Sequence, residues 1–116
     1  MRTEEDVFIS LLLPTRGEFR LPLLKKCVHS FVSKAKWSHS IEFIIVTDLD
    51  DIDYRRQIEE FFLENEYRVK IITRRRALKY FNRDYMNYAC QCSQGTLIWA
   101  INHDCEMNTT GYDHII

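Results

Sequence analysis

Four stretches of this chain end an apolar run with residues able to hold a metal or a phosphate. The densest follows Leu97–Ile101 and reads Asn102, His103, Asp104, Cys105, Glu106. Thr15, Arg16 and Gly17 follow the first run. Thr47, Asp48, Asp50 and Asp51 follow the second, and Thr73, Arg74, Arg75 and Arg76 the third. Carboxylates bind a divalent cation, the cation binds phosphate oxygens, and arginine takes the remaining negative charge. Mixed acids and bases of this kind therefore suit a phosphate anion carrying a divalent metal, provided the fold brings the four stretches together.

The intervening elements predict that it does. Val7–Leu13, Ile41–Thr47, Arg68–Thr73 and Thr96–Asn102 are apolar runs of strand length bounded by breakers or polar residues. The first, second and fourth read as strands buried on both faces. Between the first two, Leu24, Cys27, Val28, Phe31, Val32 and Ala35 recur at helical spacing, with Pro22 in a favourable first-turn position. Asp53 is placed to cap a helix carrying Ile58, Phe61 and Phe62 on one face. A third helix over 82–94 presents Tyr85, Met86, Ala89 and Cys90, and Gly95 is placed to end it. The order βαβαβαβ predicts an α/β fold, a three-layer α/β/α sandwich on a mainly parallel, Rossmann-like sheet. Ligands of such sheets bind beyond the carboxyl ends of the strands. All four polar stretches fall there. The opposite edge receives a blander set: Ser38, His39 and Ser40, Tyr67 and Arg68, Ser93 to Gly95.

Bulk properties narrow the partners. The 116 residues suffice for one compact domain over 1–116. A formal net charge of −1 argues against broad binding to nucleic acid or an anionic membrane. No segment is apolar enough to span a bilayer, and the acidic N-terminus lacks the core of a signal peptide, so a cytoplasmic location is expected. The four cysteines are expected to be reduced core residues, since Cys90 and Cys92 are too close on a helix to share a zinc ion. Trp37, Trp99 and the phenylalanines are expected in the core. "PTRGEFRLP" has neither a GxGxxG turn nor a P-loop lysine, which disfavours a dinucleotide fold and a P-loop NTPase.

"FISLLLPTRG", "IEFIIVTDLDD" and "NYACQCSQGTLIWAINHDCEM", in that order and spacing, resemble the family 2-like glycosyltransferases, in the N-terminal nucleotide-sugar half of the A-type glycosyltransferase fold. The resemblance covers nearly the whole chain. It implies that Pro14, Thr15 and Arg16 lie against the base and ribose of a nucleotide-sugar donor, and that Asp48 bonds the base. It also implies roles for Arg74 and Asn87, which lie in the segment leading into the third helix. The family's DxD motif, which binds the metal–diphosphate through Mn2+ or Mg2+, falls on Asn102, His103 and Asp104, with Asp104 as metal ligand. Asn102 and His103 replace acids, and can still ligate a metal or bond a ribose hydroxyl. Read instead as Asp104-Cys105-Glu106, the motif keeps two acids, Asp104 and Glu106, on one side of an extended chain; both registers stand.

The bland alternatives are a loop or cap role for Asp48 and Asp104, a solvated basic face for Arg74–Arg76, and simple packing for His103. A Cys105 nucleophile is disfavoured because neighbours on a strand face opposite ways. The family's acceptor half and catalytic base normally follow the metal motif. Here Asp113 and His114 are the only acid and histidine after Glu106, in a tail expected to fray. The catalytic residues are therefore unassigned, and the chain reads as the N-terminal part of a longer catalytic domain. Such a part, with an open sheet edge, is expected to self-associate. The competing reading is a non-catalytic nucleotide-binding or protein-interaction module on the same fold.

Overall fold

The computed structural model describes residues 8–15, 21–74, 81–101 and 105–115. Four strands, β1 (Ile9–Pro14), β2 (Ile41–Asp48), β3 (Val69–Arg74) and β4 (Leu97–Ala100), alternate with helices α1 (Leu21–Lys34), α2 (Ile52–Asn65) and α3 (Phe81–Cys92). A short α4 (Tyr112–Ile115) closes the chain. The sheet order is β3-β2-β1-β4, and every pairing is parallel. The expected α/β architecture is what forms.

The side-chain period of two divides the central strands between two cores. Ile9, Leu11 and Leu13 of β1 and Ile41, Phe43 and Ile45 of β2 pack against Leu24, Val28 and Phe31 of α1 and Tyr54, Ile58, Phe61 and Phe62 of α2. Leu12, Ile44 and Val46 point the other way, onto Tyr85 and Ala89 of α3. All residues of β1 and β2 are buried, as their unbroken apolar runs require. β3, at one end of the strand order, is half-buried throughout, and its Lys70 reaches over the α3 face to donate to the Cys92 carbonyl at 3.0 Å.

β4 departs from expectation. It is an edge strand rather than a buried one, with Ile98 at 48% and Trp99 at 36% exposure. Its sequence is as apolar as β1, but α3 lies over β1 and β2, so the α3 side of β4 is uncovered. Trp99 keeps one flank on Phe31 and Tyr112, with ring centroids 5.6 and 6.2 Å away. Trp37 is also 36% exposed, beside His114. Neither tryptophan is a core residue. Of the cysteines only Cys27 is buried; Cys90 and Cys105 are exposed, and none of the four is in a disulfide. Asp51, two residues earlier than the sequence suggests, occupies the N-cap position of α2, and Asp53 lies in the first turn.

A buried polar lock sets the entry of β4. Glu42, 1% exposed, accepts from Ser10 Oγ at 2.7 Å and from the Gln94 backbone N–H at 2.8 Å, with Lys70 Nζ at 3.9 Å. The Gly95 N–H donates to the same Ser10 hydroxyl at 2.7 Å. A carboxylate taken out of water is tolerated only with such donors. Gly95 is needed because a Cβ there would stand 2.6 Å from Ser10 N and 2.9 Å from the Ile9 carbonyl carbon. Its role is close approach of two backbones, not the ending of α3.

The tail does not fray. From Glu106 the chain runs back along α1. Met107 N–H donates to Ser30 Oγ, and Gly111 N–H to the Lys34 carbonyl. The Tyr112 hydroxyl donates to the Phe31 carbonyl at 2.8 Å. Asp113, 1% exposed, accepts the Lys36 and Trp37 N–H groups, both at 2.7 Å. Groups left orphaned where α1 ends are thus satisfied by the tail. Burial, with Asp113 and Cys27 alongside, pushes the Tyr112 phenol above its ordinary range.

Candidate functional site at the carboxyl edge of the sheet

Parallel pairing brings the ends of the strands into one row. Pro14 pairs with Val46, Leu12 with Ala100, Thr47 with Thr73 and Asp48 with Arg74. Backbone bonds carry the row one residue further. Thr15 N–H donates to the Val46 carbonyl, Leu49 N–H to Arg74, and Ile101 N–H to Leu12. Successive connections step from β1 to β2 to β3, then return past β1 to β4. The reversal makes the gap between β1 and β4 the topological switch point, where open α/β sheets place their ligands. Thr15 and Ile101 flank it.

The row has two chemically distinct sides. On the α3 side lie Asp48 and its cross-strand partner Arg74. Asp48 is 1% exposed and continues the Ile44, Val46 face of β2. The Arg74 guanidinium carbon lies 4.9 Å from the ring centroid of the buried Tyr85. A cation over an aromatic face is held there by the ring's quadrupole, and a guanidinium can meet oxygens through its N–H groups. An acid that can accept from a base N–H and a cation that can meet a phosphate are thus held side by side.

On the α1/α2 side the row is hydroxylic. Thr15, Thr47 and Thr73 stand level on β1, β2 and β3. Thr15 Oγ1 and the Tyr54 hydroxyl of α2 share a hydrogen bond at 2.5 Å, and both residues are wholly buried. Thr47 Oγ1 is buried and has no hydrogen-bond partner among the described residues. Tyr54 carries a signal that sequence reasoning missed: a tyrosine opening the apolar stripe of α2 brings a hydroxyl to a core position, and a buried hydroxyl seeks a partner.

The remaining candidates divide as follows. Pro14, Thr15, Asp48 and Arg74 are brought together at this edge. Asn87 is exposed midway along α3, about half a helical turn from the sheet-facing Tyr85 and Ala89, and does not join them. Glu106 is exposed, with Oε2 3.7 Å from Lys26 Nζ on α1. Arg16, Asn102, His103 and Asp104 lie outside the described residues, as do Gly17, Arg75 and Arg76. In sequence, Arg16 follows Thr15 at the exit of β1, and Asn102 to Asp104 follow Ile101 at the exit of β4. Among the described residues no three histidine, cysteine or acidic side chains gather in a metal-binding group. Asp104 and the amide oxygen of Asn102 are oxygen donors of the kind a hard divalent cation takes, whereas His103 offers a softer imidazole nitrogen. Asp113 and His114 are at the other end of α1, beyond its last turn, and do not reach this edge.

A cavity of about 490 Å³ opens at that opposite edge, between the ends of α1 and α2, with Val32, Ile41, Phe43 and Tyr67 among its lining residues. It has room for a small ligand. It lies at the amino ends of the strands, away from the switch point and from the Asp48–Arg74 couple. The convergence of charged groups therefore assigns the candidate site to the carboxyl edge.

The family model for glycosyl transferase family 2 matches residues 10–112. Among solved structures, residues 1–349 of S. aureus TarS superpose with a TM-score of 0.76 at 16% identity, covering 94% of this chain and 31% of that one. The same TarS fragment in complex with UDP gives 0.70 at 17% identity, with coverages of 94% and 31%. A further structure of S. aureus TarS gives 0.68 at 18%, covering 94% and 19%. At these identities the likeness establishes the fold, the A-type glycosyltransferase fold. The chain spans about a third of the first two structures. No curated protein sequence matches it. Among the described residues no helix is long and apolar enough to cross a membrane.

Proposed function

The chain belongs to glycosyl transferase family 2, and on that premise we propose that it is the donor-binding portion of a glycosyltransferase. The nucleotide-sugar lies along the carboxyl edge of the sheet. The observation that carries the reading is the strand register. It sets Thr15, Asp48, Arg74 and the exit of β4 in one row across the switch point, in a chain matched by the family from residue 10 to 112.

The residues divide the donor between them. Pro14, Thr15 and Arg16 lie against the base and ribose, and the Asp48 carboxylate accepts from the base. Arg74, over the ring of Tyr85, meets phosphate oxygens. Asn102 and His103 bond the ribose or complete the ligand set, and Asp104 would hold Mn2+ or Mg2+. When bound, that ion supplies Lewis-acid neutralisation of the departing nucleoside diphosphate. Of the two motif registers, the one ending at Asp104 is favoured, because Glu106 is already beside Lys26 on the flank of α1. Asp113 accepts two backbone N–H groups at the other edge, which takes it away from a role as base for an acceptor hydroxyl at this edge.

The test is thermal unfolding with a panel of nucleoside diphosphates, with and without manganese. At a hundredfold excess over Kd, binding to the folded state adds about 2.7 kcal/mol, roughly 10 °C for a chain of this size. Asp104→Asn is expected to abolish the manganese-dependent part. Asp48→Ala is expected to weaken nucleoside diphosphates but not manganese pyrophosphate. No shift with any nucleotide would leave the non-catalytic interaction module as the surviving reading.

A further inference from the structure

We propose that Tyr54, a wholly buried residue of α2, is a positioning residue for nucleoside recognition, acting through its hydrogen bond to Thr15 at the exit of β1. The inference rests on the donor-site reading above and extends it to a residue that does not touch the ligand.

The argument is one of connectivity. Two separate turns form the proposed nucleoside end of the site. One leaves β1 through Pro14 and Thr15. The other leaves β2 at Asp48. The second turn is rigidly joined to α2: Asp51 N–H donates to the Asp48 carbonyl, and Arg55 N–H to the Asp51 carbonyl. Tyr54 sits in that first helical turn, six residues past Asp48, and its hydroxyl reaches across to Thr15 Oγ1. The bond therefore ties the β1 turn to the β2 turn above the sheet, where ladder bonds no longer run. Below it, Thr15 N–H still bonds the Val46 carbonyl. Beyond it, the chain leaves the sheet toward Arg16.

The neighbouring hydroxyl makes the choice of partner informative. Thr47 stands between Thr15 and Thr73 on the same side, and its buried hydroxyl has no partner among the described residues. Adjacent threonines on paired strands can bond each other. Here Thr15 bonds the helix instead. Without the phenol, Thr15 has that alternative acceptor and donor beside it on β2. Its rotamer is then free to turn toward Thr47, and the exit of β1 loses its tie to the Asp48 turn. A base held between the two turns would feel the change. A diphosphate held at Arg74 and the exit of β4 would not.

The experiment compares Tyr54→Phe with the wild type. Ligands are the tightest-binding nucleoside diphosphate and inorganic pyrophosphate, each with manganese. The expected result is a nucleoside diphosphate Kd raised about three- to tenfold, the affinity worth of one net hydrogen bond, with pyrophosphate unchanged. Thr15→Val should give the same split, and the Tyr54→Phe, Thr15→Val double variant should be no worse than either single one. Non-additivity of that pair, read against the Thr15→Val single variant, decides the matter if Tyr54→Phe alone is poorly folded. Unchanged nucleoside affinity in Tyr54→Phe or Thr15→Val, or equal weakening of both ligands, overturns the inference and leaves the donor site standing. A wild type that binds no nucleoside diphosphate overturns both.

Discussion

Substituting Gly95 by alanine should damage this protein far more than a single methyl on a loop normally would. An added Cβ would stand 2.6 Å from both Ser10 N and Ser10 Oγ, and 2.9 Å from the Ile9 carbonyl carbon. Ordinary contact begins near 3.4 Å. Two of the three atoms are backbone of β1, which is paired on both sides, with Ser10 opposite Glu42 and Ile98. β1 cannot yield, so the 93–95 segment must. Its retreat stretches the Gly95–Ser10 bond of 2.7 Å and the Gln94–Glu42 bond of 2.8 Å. Overpacking costs about 1–3 kcal/mol, and weakening a bond to a buried carboxylate adds about 1–2 kcal/mol. A loss of about 3 kcal/mol is expected. That is a large share of the roughly 5–15 kcal/mol that holds a domain folded. Gly95 has no positive φ, so the cost is steric rather than conformational. Urea unfolding measures it as a lower midpoint at unchanged slope. Adding Ser10→Ala should not restore stability, because the two backbone contacts remain. A Gly95→Ala protein within about 1 kcal/mol of wild type, or one rescued by Ser10→Ala, would show that the loop is not locked to β1 in this way.

Two further outcomes concern the docked tail. Asp113→Ala should destabilise by about 2–3 kcal/mol in urea, since two part-buried N–H groups lose a charged acceptor. Asp113→Asn should cost about half as much, its amide oxygen retaining one of them, and a fraying tail would make both changes silent. Tyr112 gives a pH signature. Burial first, and its neighbours Asp113 and Cys27, keep the phenol protonated when an unfolded one has ionised. The folded state then binds more protons, so stability contributed by Tyr112 is complete below the ordinary tyrosine value of about 10 and declines as pH rises beyond it. Tyr112→Phe should remove that decline, seen as a flatter melting temperature between pH 9 and 11.

Much of this was already written in the order of residues. Unbroken apolar runs in β1 and β2, helical spacing between them and breakers at their ends specify a parallel sheet with two helical layers. Local pattern is sufficient there, because a strand buried on both faces and an amphipathic helix each leave a short-range signature. That Thr15, Asp48 and Arg74 belong to one edge also follows from sequence, since parallel strands share a direction. What sequence could not specify is which strands have neighbours. β4 is as apolar as β1, yet Ile98 is exposed, because burial depends on where α3 is laid and not on the strand's own composition. Gly95 was visible, but as a helix stop; only the approach of β1 shows that two backbones need the space. Asp113 looked like a loose terminal acid, and Tyr54 like another core aromatic. Their partners are 76 and 39 residues distant. A polar group names its chemistry in the sequence, but its partner is chosen by the packing of distant segments, and that choice exists only in the folded chain.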